Sequence, residues 1–192
     1  MGEFIVKIIG EAASWAKGRN YLARLPFLFW FLYIFIRHMG DPMYSSILGA
    51  LNLGIHEFGH FVFSPFGFFI GVMGGTLFQL AAPVAGMINF YIQRDYFAIT
   101  LCFGWLSTSF FDVARYASDA RSMSLPLVSP FGVGNVVHDW NYMLSRMGIL
   151  RFDWAAGFIF KSFAFASMLI CLLSCSWILY EMYKADDGRA RV

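Results

Sequence analysis

MYSSILGALNLGIHEFGHFVFS, Met43 to Ser64, is the stretch that decides how this chain folds. It is an apolar run bracketed by Pro42 and Pro65, and its last third carries His56-Glu57-Phe58-Gly59-His60. From Met43 to Ile92 the only acid is Glu57, and there is no Lys or Arg. Burying a carboxyl group in hydrocarbon is costly, so an ionisable residue at that depth points to function. On a helix, His56 and His60 share one face a turn apart. Two imidazoles can then grip one metal ion while Glu57 reaches a water beside it.

Composition agrees with a lipid environment. Charged residues make up 14% of the 192 positions, against about a quarter in a soluble domain. Hydrophobic residues make up 59% and aromatic ones 20%. The chain reads as all-α, a single integral membrane domain over 1–192. At about 20 residues per crossing, five transmembrane helices can be drawn. Four lie within 22–116, as 22–39, 43–64, 68–92 with a bend at Pro83, and 96–116; the fifth is 162–180. Residues 1–20 hold Glu3, Lys7, Glu11, Lys17 and Arg19 without an uninterrupted apolar core. They read as an interfacial amphipathic helix, not a cleaved signal. Segment 117–161 is expected to be membrane-proximal.

A net charge of +2, without a basic patch interleaved with aromatics, excludes nucleic acid as a partner. The expected partners are the lipid bilayer and either a transmembrane peptide substrate or other membrane proteins. Cys102, Cys171 and Cys175 fall in apolar spans and read as packing residues. His38, beside Arg37 at a span end, reads as interfacial. Lys7, Lys17, Arg19 and Arg24, with the basic residues of 117–161, favour a cytoplasmic N-terminus in a multi-pass inner-membrane protein.

A catalytic zinc takes three protein ligands and keeps one position open. Parity puts the second and fourth spans in the same direction. The exit end of the His56/His60 pair is then on the side of segment 117–161. His56 lies about 20 Å into its span and Asp112 about 24 Å into the fourth, at 1.5 Å per residue. Asp112 is therefore the favoured third ligand, with an ion pair to Arg115 as the plain alternative. Asp119, His138 and Asp139 are the other candidates for third ligand or for a supporting role. Asp119 could equally pair with Arg121. His138-Asp139 opens a short amphipathic helix through Met147.

These residues resemble the site-2 protease family of intramembrane zinc metalloproteases, and most closely a divergent bacterial branch of membrane metallopeptidases. The resemblance rests on His56-Glu57-Phe58-Gly59-His60, with Gly before the second His. It is supported by Gly74-Gly75, Ala82-Pro83 and Asn89, which look like that family's Gly-Pro-x-x-Asn region, and it covers about residues 43–145. It implies Zn²⁺ held by His56, His60 and an Asp from the helix two further on, the place of Asp112, with Glu57 as catalytic base. Asp112 is followed by Val113 where the family has Gly. The implied activity is hydrolysis of peptide bonds in membrane-embedded or membrane-proximal substrates. The alternative is a noncatalytic membrane subunit of a larger complex with a structural or vestigial metal site.

Overall fold

A computed structural model describes residues 2–126 and 137–190. Among these residues there are seven α-helices and no strand: α1 Gly2–Ala16, α2 Leu25–Gly40, α3 Leu48–Phe63, α4 Phe68–Ile92, α5 Tyr96–Ser118, α6 Asp139–Arg146 and α7 Asp153–Ala190. The all-helical expectation holds. Three stretches are long and apolar enough to cross a membrane, namely α4, α5 and Leu150–Asp186, which contains most of α7.

The sequence-drawn spans differ from the helices in instructive ways. The span drawn over 43–64 becomes helical only at Leu48. Arg115 of α5 explains this, because its Nη1 donates to the carbonyls of Met43 (3.0 Å) and Tyr44 (3.4 Å) and holds that strap outside the helix. At 16 residues each, α2 and α3 extend about 24 Å, less than a hydrocarbon core of about 30 Å. The span drawn over 162–180 is part of one continuous helix of 38 residues. Lys161 and Glu181 do not end it, since charged side chains near an interface can turn their heads to water without breaking the backbone ladder.

Glycine sets the register of the central helices. Gly67, at φ +106°, turns the chain after a 3-10 turn at Ser64–Phe66 and sends α4 back along α3. In that hairpin Gly74 meets Gly59 and Phe63, while Gly71 meets Ser64. Bare backbones are what let two helices approach this closely. Asp95 caps α5 by accepting from the Ala98 amide (3.0 Å), which closes a second antiparallel hairpin. Gln79 of α4 touches both His56 of α3 and Ser109 of α5, so α3 and α5 flank α4 and run the same way. α4 continues through Pro83.

α5 is the central helix. Serine hydroxyls on α5 and α7 bond across to the facing backbone. Ser107 Oγ donates to Ala164 O, and Ser167 Oγ of α7 donates to Phe103 O, both at 2.7 Å. Phe31 and Ile34 of α2 pack with Met168 and Cys171 of α7. α1 lays Ala12 and Ala16 against Tyr96, Phe97 and the Cys175–Met182 face of α7. All three cysteines are buried and free. His38 is buried in the otherwise exposed last turn of α2, where its ring stacks on Phe111 with centroids 4.3 Å apart.

Gly59→Ala is expected to destabilise the fold by about 1–3 kcal/mol through overpacking, because its Cβ would stand 2.6 Å from Phe78 Cβ and closer still to Gly74 O. Gly54→Ala, with nothing within 4 Å, is the matched control and should cost nothing. Unfolding of the two variants in detergent, followed by circular dichroism, checks this.

Candidate metal centre

His56 and His60 sit on the face of α3 that meets α4, and each ring is held from behind. Gly71 O can only accept, so the 2.9 Å contact means that His60 Nδ1 carries the hydrogen and donates. His56 Nδ1 donates to Gln79 Oε1 at 3.0 Å, while Gln79 Nε2 donates to Ser109 O at 3.3 Å. Fixing both Nδ1 atoms in this way leaves both Nε2 atoms facing forward. Such backing contacts set the tautomer and orientation of metal-binding imidazoles.

What they face is Asp139, the first residue of α6. Its Oδ2 lies 2.8 Å from His56 Nε2 and 3.2 Å from His60 Nε2. A carboxylate oxygen and the bare nitrogen of a neutral imidazole are both acceptors. Three acceptor atoms this close repel one another unless a proton or a metal ion lies among them. The carboxylate is nearly buried. Burial would raise its pKa, whereas imidazoles that carry a proton on the forward nitrogen and donate to it hold it below the ordinary value, which is the proton case of the two.

Two donor sets can be drawn on the histidine pair. His56, Glu57 and His60 offer atoms within 4.8 Å of one another, whereas Asp139 is within 3.2 Å of both rings. The second set uses the forward nitrogens, both of which the Asp139 carboxylate approaches directly. Two nitrogens and one carboxylate oxygen suit zinc, which places tetrahedral donors about 3.3 Å apart at bond lengths near 2.0–2.1 Å. The floor of the cradle is Gly75. A Cβ there would stand 2.6 Å from His56 Nε2 and 2.7 Å from His60 Nε2. Glu57 is partly buried in the wall of the same cavity, which has a volume of about 870 Å³.

Asp112, expected from the sequence as the third ligand, lies apart from the histidine pair, and its contact with Arg115 is the ion pair named as the plain alternative. Its depth along α5 brings it to the same cavity, but its carboxylate is turned towards the start of α3. Asn52 Nδ2 donates to Asp112 Oδ2 at 2.8 Å, and Arg115 stands 3.6 Å from Oδ1. Asn52 is fully engaged, because its Oδ1 accepts from Trp105 Nε1 (2.8 Å) and Ser109 Oγ (3.2 Å). Asp112 thus belongs to a cluster that ties α3 to α5.

Asp119 and His138 form a separate buried pair. His138 Nε2 stands 3.5 Å from Asp119 Oδ2, while its Nδ1 caps α6 by accepting from the Asn141 amide (3.2 Å). Asp119 also accepts from Ser122 Oγ (2.5 Å), Ser124 Oγ (2.6 Å) and the Leu125 amide (2.9 Å). Burial would raise its pKa, but these bonds override it and hold the carboxyl far below the usual range. Arg121 pairs with Asp153 instead, at 2.8 Å. Gln79 and Tyr116 have no role in the sequence reading, where Gly75 enters only with Gly74 in the resemblance. Gln79 left a trace there, as a Gln inside an uncharged apolar span.

Asp139→Ala is expected to lower Zn²⁺ affinity by at least tenfold, and Gly75→Ala to do the same, while Asp112→Asn keeps about one zinc per chain. Zinc titration of the purified variants against a chromophoric chelator separates them.

The chain matches no protein-family profile, no curated protein and no solved structure.

Proposed function

We propose that the chain is an intramembrane zinc metallopeptidase that hydrolyses peptide bonds of membrane-embedded or membrane-proximal substrates, resembling the site-2 protease family. The observation that carries the reading is the pair of backed imidazoles whose forward nitrogens meet Asp139 beside Glu57. In this reading His56, His60 and Asp139 hold the ion. Zinc held by these three residues would supply Lewis-acid polarisation of the scissile carbonyl and a lowered pKa for water near neutral pH.

The remaining steps belong to the chain's own side chains. Glu57 takes a proton from the attacking water and returns it to the leaving amine. The cavity is walled by Met43, Leu53, Val72 and Tyr116 as well as by the polar groups, which suits an apolar peptide. An intact substrate helix hides its amides, so the substrate has to unwind locally before its carbonyl can approach. For topology, α2 and α3 complete five crossings, with flanking residues bridging the shortfall in length. The N-terminus is on the cytoplasmic side of a bacterial inner membrane.

A second reading is favoured by one measurement. The 2.8 Å approach of Asp139 to His56 is shorter than the spacing of about 3.3 Å around tetrahedral zinc, and fits a proton shared between imidazole and carboxylate. In that reading the chain is a noncatalytic subunit with a vestigial site.

Glu57→Gln separates the two. The peptidase reading expects about one zinc per chain in both forms, with cleavage of a reporter transmembrane peptide reduced by roughly 10²–10⁴-fold in the variant. A wild-type protein that binds no zinc supports the subunit.

A further inference from the structure

We infer that Tyr116 is a positioning residue for metal capture: from the last turn of α5, its hydroxyl fixes the first turn of α6 so that Asp139 reaches the two imidazoles. This rests on the metal reading above.

With only eight residues, α6 is too short to be stable by itself, so its place over the histidines depends on what its N-terminus is tied to. Among the described residues its hydrogen-bonded ties run to residues 116–120, and Trp140 meets Phe160 of α7 with ring centroids 5.3 Å apart. The Asp139 amide donates to Tyr116 Oη at 3.1 Å. The His138 ring lies over the Tyr116 ring, with centroids 4.3 Å apart. Since His138 Nδ1 accepts the capping bond, its Nε2 carries the hydrogen; among the described residues that buried nitrogen has no hydrogen-bond partner, and it stands 3.5 Å from Asp119 Oδ2. Asn141 Nδ2 donates to Ala120 O at 2.7 Å. Further along α6, Tyr142 meets Phe68 of α4 with ring centroids 5.0 Å apart, but this contact is a turn away from the carboxylate.

Among the described residues the Tyr116 tie is the one made to the backbone of Asp139 itself. Metal–donor distances in a well-formed site fall within about 0.2 Å of standard values. A first turn of α6 that drifts therefore binds the ion more weakly, even though every ligand is present. Tyr116→Phe removes one oxygen and keeps the ring under His138, so the fold is retained while the tie is cut. Asn141→Ala cuts a different tie on the same turn and serves as the second probe.

The experiment is a double-mutant cycle read as Zn²⁺ affinity, with no substrate present. Tyr116→Phe is expected to weaken zinc binding by about 10–100-fold in the native background, and to add nothing once Asp139→Ala is present. Asn141→Ala is expected to behave in the same way. An equal loss in both backgrounds, or no loss in the native one, overturns the inference while the metal reading stands. A wild-type chain without zinc affinity overturns both.

Discussion

Three electron-pair donors crowd one point of this molecule, and every nearby contact keeps them there. Gly71 O and the Gln79 amide prevent the imidazoles from turning their hydrogens forward. α6 brings the carboxylate in from the other side. In a low-dielectric setting such crowding is unfavourable without a positive charge at its centre. The arrangement is therefore a statement about what the site holds. A metal ion and a trapped proton are the two possible answers, and they imply different proteins.

The geometry exists because α3 and α4 can touch. The glycines that permit this contact do two jobs on one face of α4. Gly74 brings the backbones together near Gly59, and Gly75, one residue on, leaves the space into which the rings project. Packing and site are thus not separable along this hairpin, and a change that widens it also moves the donors. α5 contributes differently. Through Asn52 and Asp112 it fixes the start of α3, and through its last turn it governs α6.

The histidine pair and the helical class were legible in the sequence because both depend on local spacing. Periodicity and uninterrupted apolar length gave α4 its bounds, since Gly67 and Arg94 mark its ends by breaking the backbone pattern. The third partner was harder to read. Counting depth along α5 correctly placed Asp112 at the cavity, but depth does not specify rotation, and Asn52 claims that carboxylate. Asp139 arrives from 83 positions beyond His56 on a helix outside the apolar spans. No periodic signal within α3–α5 could announce it. The late start of α3 was likewise hidden, because the capture of the Met43–Tyr44 carbonyls by Arg115 is a long-range event.

The unbroken α7 has a mechanical consequence. Thirty-eight residues make a rod of about 57 Å, and a hydrocarbon slab of about 30 Å traversed at the usual tilt of about 20° accommodates little more than half of it. The surplus has to stand clear of the lipid as rigid helix. α7 lies along α5 with Ser107 and Ser167 pinning the two together, so the length left over belongs to the same helix that braces α5.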